Sequence, residues 1–230
     1  APSPARVIVL GTNHFGQGDG VVMSRLGFDT PFGVAQPDAA LVDGLVAKLG
    51  ERLLKDEMDH VGEHSVQLHL PWVQHLFGGV PVTTALVPDP NAPMVADDGA
   101  RVSFAEFRSA LAEVVALLPG RTLVVASCDL SHVGPGFGDE KPVDELQQDE
   151  VERHDREMLA VFERGDGDAF IRAIAESQNS TRWCSVGAMS AAIAACPGAT
   201  MELIDYRQSI DPKRIALVSC AALAWVGVDA

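Results

Sequence analysis

Short β-branched segments bounded by glycine or proline recur along the chain and predict buried strands. The first, RVIVL at residues 6–10, ends at Gly11 and leads into a polar, glycine-rich loop. Four later segments follow the same pattern, at residues 80–87, at residues 121–127, and from Thr200 and from Ile215 onward. The segments between most of these strands have helical periodicity, so strands and helices alternate along much of the chain.

Apolar residues at helical spacing predict the helices. They recur from Leu41 to Leu53 after Asp38, a candidate N-cap. They recur again over residues 66–77, where Pro71 must lie in a first turn or at a kink, because proline costs about 3 kcal/mol in a helix interior. Ser103 and Glu106 form a capping box that opens the next helix. Further helices are predicted at residues 143–162, after Asp168, and at residues 185–195.

This alternation predicts an α/β protein, layered α/β/α with a mostly buried central mixed sheet. We expect a single domain over residues 1–230. A chain of this length hides roughly 70% of its unfolded surface, so it needs no metal or disulfide to stay folded. Any metal is therefore expected to serve chemistry.

Charge and apolar runs limit the partners. The chain has 17 Lys and Arg against 32 Asp and Glu, a net charge of −15, and its basic residues are scattered. Such a chain repels phosphate backbones, so we expect no nucleic-acid partner. Its apolar runs fall short of the ~20 residues that a membrane-spanning helix needs, so we expect no membrane partner. The four cysteines lack Cys-x-x-Cys spacing, which favours a reduced, cytoplasmic protein.

Side chains able to do chemistry gather where predicted elements end. His14 follows the first strand, Glu63 and His64 precede or begin the helix around Pro71, Asp129 and His132 follow the strand at residues 121–127, and Cys184 precedes a small-residue helix. Loops at strand ends can deliver these side chains to one edge of a sheet. Each also has a plain structural interpretation: a backbone-bonded histidine, a turn-forming aspartate, or a small buried thiol.

Cys184 has an argument of its own. A thiol at a helix N-terminus, with Arg182 two residues away, is expected to ionise more readily than an ordinary cysteine, and a thiolate is a metal ligand or a nucleophile. The other cysteines, Cys128, Cys196 and Cys220, lie in apolar stretches and are expected to be structural.

A second motif competes for the same segment. His60, Glu63 and His64 match H-x-x-E-H, the inverted zinc-peptidase signature, in which two histidines on one helix bind zinc and the glutamate is the general base. Gly62 disfavours a helix at that point. No G-x-S-x-G elbow, P-loop or G-x-G-x-x-G follows a strand, which leaves serine-hydrolase, NTPase and dinucleotide-binding functions without support.

Taken in order, these segments resemble the MEMO family, whose fold is similar to that of class III extradiol ring-cleaving dioxygenases. The matching pieces are VLGTNH at residues 9–14, EHSVQLHLP at 63–71, SCDLSH at 127–132, Cys184, and YRQS at 206–209. Family members usually have a further N-terminal segment with a His-Ala-Gly-like motif. This chain starts at Ala1 without it, so we expect either a truncated start or a shorter branch with a more open pocket.

The resemblance implies a mononuclear metal site with His14, His64 and Cys184 as ligands, and with Asp129 and His132 as catalytic residues in the same pocket. Three protein ligands leave coordination positions open, as catalytic sites do. Resemblance to the dioxygenases favours Fe(II), while copper and zinc also suit imidazole and thiolate. A cysteine in place of the dioxygenase carboxylate weakens the case for ring cleavage.

Three functions stay open at this point. The first is a non-heme iron oxidoreductase that uses O₂ on a small, aromatic or heteroaromatic molecule, with His132 as acid or base and Asp129 orienting a histidine or accepting a proton. The second is a non-catalytic iron- or copper-binding or signalling-type interaction protein. The third is a zinc hydrolase built on His60, Glu63 and His64. A homodimer is expected on base rates.

Overall fold

The structure is a computed structural model that describes residues 3–15, 19–92, 99–198 and 200–226. Internal contacts divide the chain into two compact units. One comprises Ala1–Ser127 with Gly187–Cys196, and the other comprises Cys128–Val186 with Pro197–Ala230. The single domain expected over residues 1–230 stays a prediction.

Four strands begin the chain, helices and shorter groups of strands follow, and two long strands end it. The strands are β1 (Arg6–Gly11), β2 (Val22–Met23), β3 (Phe28–Thr30), β4 (Gly33–Ala35), β5 (Val82–Leu86), β6 (Thr122–Ala126), β7 (His132–Val133), β8 (Thr200–Ile210) and β9 (Leu217–Val226). The helices are α1 (Ala39–Leu49), α2 (His64–Gln67), α3 (Leu70–Phe77), α4 (Phe104–Leu117), α5 (Glu145–Phe162), α6 (Gly167–Glu176) and α7 (Val186–Ala195).

The first unit is built on a mixed sheet with the strand order β2-β5-β1-β6. Strand β1 runs parallel to both β5 and β6, whereas β2 runs antiparallel to β5. The central strand β1 is buried along its whole length, which its β-branched sequence predicts. The predicted mixed α/β architecture with a central mixed sheet is therefore confirmed.

Helices cover both faces of this sheet. Side chains alternate along a strand, so Val7 and Val9 share one face, where they pack with residues of α2 and α3 such as Val66 and Leu70. The opposite face bears Arg6, whose guanidinium Nε donates to Asp38 Oδ2 at 2.9 Å. Since Asp38 is the N-cap of α1, that helix begins over the second face.

Glycine and proline decide where the helices end. Helix α1 stops at Leu49 because Gly50 adopts a positive φ of 80°, and Leu53 lies in a separate 3₁₀ helix, Glu51–Leu54. Pro71 occupies the first turn of α3, where proline lacks only an N–H that the helix does not use. The first-turn placement is thus confirmed, and α2 is a separate short helix.

Helix α4 begins with the predicted capping box. The backbone N–H of Glu106 donates to Ser103 Oγ at 3.3 Å, and the N–H of Ser103 donates to Glu106 Oε2 at 2.9 Å. Glu106 Oε1 also accepts from the Arg52 guanidinium at 2.5 Å. The box therefore fixes the start of α4 and ties it to the 3₁₀ helix that follows α1.

The second unit pairs a three-stranded antiparallel sheet with two helices. Strands β8 and β9 form a long hairpin, and β7 pairs with β9. Helices α5 and α6 contact each other through Phe162 and Phe170, whose rings meet edge to face with centroids 5.1 Å apart. His132, a candidate functional residue, lies in β7, which is an edge strand of this sheet.

Within the part of the chain that the structure describes, no helix has both the length and the apolar character needed to cross a bilayer. None of the four cysteines, Cys128, Cys184, Cys196 and Cys220, forms a disulfide bond in the structure.

Replacing Ser103 by alanine should lower the free energy of unfolding by about 1 kcal/mol, because one N–H of the first turn of α4 loses its acceptor. Urea denaturation measures the change. Ser109→Ala is the matched control, since Ser109 lies inside the same helix and is exposed. An equal loss in both variants would contradict a capping role for Ser103.

The same box should make stability depend on pH. The Arg52 guanidinium and the Ser103 N–H hold the pKa of Glu106 at about 2, against an ordinary value of 4.5. A lowered folded-state pKa stabilises the fold above the ordinary value, and the stabilisation disappears as the pH falls towards about 2. Denaturation at several pH values should give wild type a larger free energy of unfolding than Glu106→Gln at neutral pH. This difference in free energy should disappear in acid. A difference in free energy that does not change with pH would contradict a stabilising role for ionised Glu106.

Candidate metal centre

The loop after β1 and the helix α2 approach each other closely at Gly11. A Cβ built on Gly11 would lie 2.4 Å from Ser65 Oγ and 2.7 Å from Val66 Cγ1, so only glycine fits there. Just beyond, Ser65 Oγ donates to the carbonyl of Thr12 at 2.9 Å. This contact brings His14, in the loop, beside His64, the first residue of α2.

Glu63 is the buried residue that joins the loop to the helix. It is the N-cap of α2, and its Oε1 accepts from the N–H of Ser65 at 2.8 Å. Its Oε2 accepts from the backbone N–H of His14 at 2.6 Å. One carboxylate thus caps the helix and holds the loop.

The two imidazoles stand together against this carboxylate. The Nδ1 atoms of His14 and His64 lie 3.1 and 3.3 Å from Glu63 Oε1. Their rings stack with centroids 5.2 Å apart and an interplanar angle of 25°. His14, Glu63 and His64 each offer a ligand atom, and these atoms all lie within 4.8 Å of one another. We call these three residues the His14 cluster.

The charge of Glu63 sets the tautomer of His14. Burial raises the pKa of Glu63, but the N–H groups of Ser65 and His14 and the His14 ring outweigh it, so the pKa lies below its ordinary value. The carboxylate is then ionised and can only accept, so His14 Nδ1 carries the proton. The lone pair of His14 is on Nε2, the atom that binds the metal in carboxylate–histidine–metal sites.

A second cluster lies in the other unit and contains Asp129, His132 and Cys184. Cys184 Sγ donates to Asp129 Oδ1 at 3.2 Å, and His132 Nε2 lies 3.3 Å from Asp129 Oδ2. The Nδ1 of His132 lies 3.0 Å from the Arg182 carbonyl and 3.1 Å from the Leu130 carbonyl, so Nδ1 carries a proton. We call this group the Asp129 cluster.

Asp129 and His132 shift each other's pKa values. Burial lowers the pKa of His132, but the Asp129 carboxylate and the two carbonyls outweigh it and raise the pKa. Burial raises the pKa of Asp129, while the His132 ring and the Cys184 thiol lower it overall. The pair therefore favours an imidazolium beside a carboxylate, a form that can release and recover a proton.

A buried carboxylate that the sequence analysis missed supports this second cluster. Asp155 accepts from the hydroxyls of Ser131 and Ser219, each at 2.5 Å, and from Tyr206 Oη at 2.8 Å. It also accepts from Trp183 Nε1 at 2.9 Å. These bonds fix the residues that precede His132 and Cys184. The sequence contains a signal for this residue, because the helical spacing places Asp155 on the apolar face of α5, with Val151, Leu159 and Phe162.

The structure brings the predicted site residues together in two groups. His14 lies with His64, and Asp129 lies with His132 and Cys184. The predicted ligand set of His14, His64 and Cys184 combines residues of both units, and it stays a prediction. Burial raises the pKa of Cys128 to about 12 and also raises the pKa of Cys196, whereas Cys220 is an exposed residue, and the structural role expected for these three thiols stays a prediction.

The H-x-x-E-H motif does not form the helix that a zinc peptidase needs. His60 lies in a 3₁₀ helix, Glu57–Val61, which ends at Gly62, and His64 begins α2. The Glu63 carboxylate accepts hydrogen bonds from the backbone N–H groups of Ser65 and His14, so it caps α2 and belongs to the His14 cluster. The two histidines are thus not on one helical face, and the hydrolase hypothesis loses its structural basis.

Comparison with known proteins identifies relatives along most of the chain. A family model described as Memo-like protein matches residues 1–224. A MEMO1 family protein of Thermotoga maritima is 35% identical over 130 residues, which cover 56% of this chain and 43% of that protein. One from Methanothermobacter thermautotrophicus is 32% identical over 216 residues, which cover 90% of this chain and 68% of that protein. The chain thus spans less than half of the first relative.

Among solved structures, the chain is similar to an uncharacterised protein of Escherichia coli K12, with a TM-score of 0.51 and 14% identity. The match covers 95% of this chain and 86% of the other, and at this identity it shows a shared fold only. The family match includes the residues of both clusters, and on that evidence the chain belongs to the Memo-like protein family.

Proposed function

We propose that this protein binds a single Fe(II) ion and oxidises a small aromatic or heteroaromatic molecule with O₂. The observation that supports this best is the His14 cluster, in which two stacked imidazoles meet one buried carboxylate. A histidine pair held in this way is the arrangement that orients imidazoles towards a metal. The fold proposed for this activity is that of the class III extradiol dioxygenases.

The donor chemistry fits a redox-active metal. Imidazole suits iron, copper and zinc, and the proton on His14 Nδ1 leaves Nε2 in the form that ligates. Glu63 already accepts several hydrogen bonds, so it suits a supporting role better than direct ligation. Bound Fe(II) would supply redox and Lewis-acid chemistry towards O₂ and an electron-rich substrate. Cys184, the third ligand that the family resemblance implies, remains part of the proposal.

In this proposal His132 and Asp129 handle protons. The Arg182 and Leu130 carbonyls hold the His132 ring by its Nδ1, which leaves Nε2 to exchange a proton with the Asp129 carboxylate or with a substrate hydroxyl. Asp129 also orients the Cys184 thiol through its other oxygen. The protein is proposed to act in the cytoplasm, as a homodimer, on a small molecule and O₂.

His14→Ala and His64→Ala should each lose the metal. Protein purified without oxygen and loaded with Fe(II) is expected to hold about one iron per chain, and each variant close to none, because loss of one of three ligands leaves too few donors to hold the ion. Elemental analysis after desalting measures this. His75→Ala, which replaces an exposed histidine of α3, should keep the full iron content.

The same preparations decide between the alternatives. Full iron in both histidine variants would contradict the site, and full iron in Cys184→Ala would contradict that ligand alone. O₂ uptake by the iron-loaded protein on an aromatic and heteroaromatic panel, absent in His14→Ala, would support the oxidoreductase. Tight Cu(I) binding with no O₂ uptake on any substrate would favour the metal-binding alternative instead.

Glu63→Gln should weaken iron binding without abolishing it. The amide preserves size but presents no charge to His14 Nδ1, and loss of such a supporting carboxylate costs about 10- to 100-fold in metal affinity. Competition with a chromogenic chelator measures the dissociation constant. Glu57→Gln, a matched change in the neighbouring 3₁₀ helix, should leave the affinity unchanged. Equal affinities for wild type and Glu63→Gln would contradict the supporting role.

A further inference from the structure

The first unit contains a cavity that the proposed function does not use. Its volume is about 560 Å³, within the usual range for small-molecule sites of roughly 300–1,000 Å³. Its walls come from Ser24 and residues 26–31, from Glu57, Met58, His60 and Val61 of the 3₁₀ helix, and from residues 67, 68, 70 and 71 around the end of α2 and the start of α3. None of the lining residues belongs to the His14 cluster.

The walls of this cavity are largely apolar. Leu26, Met58, Val61 and Leu68 line it, and each of these residues exposes 59 to 70% of its surface. Large apolar side chains gathered around one concavity are typical of a binding site, because their exposure to water is unfavourable. A ligand that covers them gains hydrophobic stabilisation.

One lining residue has an unsatisfied polar atom. His60 is only 3% exposed, and its Nε2 is buried with no hydrogen-bond partner in the structure. Such groups are rare, because a buried polar atom without a partner costs about 1–3 kcal/mol. A ligand that forms a hydrogen bond with Nε2 would remove this cost.

The protonation of His60 defines what that partner must be. Its Nδ1 lies 3.2 Å from the Glu57 carbonyl, which can only accept, so Nδ1 carries the proton. Burial lowers the pKa of His60, which keeps the ring neutral at neutral pH. Nε2 is then a pure acceptor and needs an O–H or N–H donor from a ligand.

The backbone of His60 and its ring each have a further contact. Gln67 Nε2 donates to the His60 carbonyl at 3.0 Å, and the Phe28 ring lies 5.9 Å from the imidazole, centroid to centroid. Both residues line the cavity with His60. A fixed acceptor beside an aromatic ring selects a ligand by shape as well as by its donor.

Charge excludes one class of ligand. The charged side chains of the lining are Asp29 and Glu57, both acidic, and no lysine or arginine is among them. Glu57 Oε1 already accepts from Ser24 Oγ at 2.9 Å and from the N–H of Arg25 at 2.6 Å. The acidic side chains repel an anion, and apolar walls disfavour any charged ligand.

We propose that this cavity, the His60 cavity, binds an uncharged, mostly apolar small molecule that donates one hydrogen bond to His60 Nε2, as a phenol would. The apolar walls supply most of the affinity and His60 supplies the selection for a hydroxyl. The site is separate from the proposed metal site, so the two can fail independently.

Three probes of one shape test the proposal: 2-naphthol, 2-methylnaphthalene and 2-naphthoate. The first donates a hydrogen bond, the second cannot, and the third is an anion. Calorimetry on the full chain should show 2-naphthol binding about tenfold more tightly than 2-methylnaphthalene, which is the effect of one hydrogen bond to a buried acceptor. The anion should bind more weakly than either.

Two variants and a control assign the binding to this cavity. His60→Phe keeps an aromatic ring but removes the acceptor. The affinity for 2-naphthol should therefore fall about tenfold and become similar to the affinity for 2-methylnaphthalene. Leu68→Gln changes an exposed wall residue and should weaken both neutral probes. Leu117→Gln, at an exposed leucine at the end of α4, should change neither. Iron content should be the same in all of these variants.

Several results would overturn the proposal. Equal binding of 2-naphthol to wild type and to a folded His60→Phe would remove the role of the acceptor. Binding of 2-naphthoate at least as tight as that of 2-naphthol would contradict the charge argument. A dimer in light scattering that Leu68→Gln dissociates, with no probe bound, would assign the apolar wall to a second copy of the chain instead.

Discussion

The buried carboxylate of Glu63 is the constraint on which the candidate metal centre depends. An ionised carboxylate removed from water is costly unless hydrogen bonds replace its hydration. Here the N–H groups of Ser65 and His14 do so, and the His14 ring adds a further donor. Because these donors come from the loop after β1 and from α2, satisfying the carboxylate fixes both elements, and with them the two imidazoles.

In the second unit, Asp155 is likewise a buried carboxylate whose hydration is replaced by hydrogen bonds. This carboxylate accepts from the Ser131 hydroxyl and the Trp183 indole, which are the residues just before His132 and Cys184. Neither functional side chain contacts Asp155 in these bonds, so its effect is to hold the backbone that presents them. In both units a buried acid orders the segment that bears the reactive groups, which supports preorganisation as the common design.

Sequence predicted those parts of the fold that local chemistry determines. The β-branched run of β1, the capping box of α4 and the first-turn position of Pro71 all follow from short-range rules, and the structure confirms them. Strands β2, β3, β4 and β7 were not predicted, since two or three residues are too few to show a strand period. Those strands exist because tertiary contacts pair them.

The site was predictable only in part, for a related physical reason. The ends of predicted elements nominated His14 and His64 as candidates, but about 50 residues separate them along the chain, so only the tertiary fold brings them together. The missed Asp155 shows a signal that could have been used. A charged residue on the apolar face of an otherwise amphipathic helix must be paired once buried, so it indicates a polar network.

The segment from Glu57 to His64 shows how one motif divides between two environments. His60 and His64 would share a helical face if a helix continued, but Gly62 ends the 3₁₀ helix and Glu63 caps the next one. His64 then faces an ionised acid, whereas His60 is buried beside Phe28 with an acceptor atom and no donor. Side chains of one type, four positions apart, therefore differ in what they can bind: His64 stands beside an ionised carboxylate in a candidate metal cluster, whereas His60 offers a buried acceptor atom to a neutral hydrogen-bond donor.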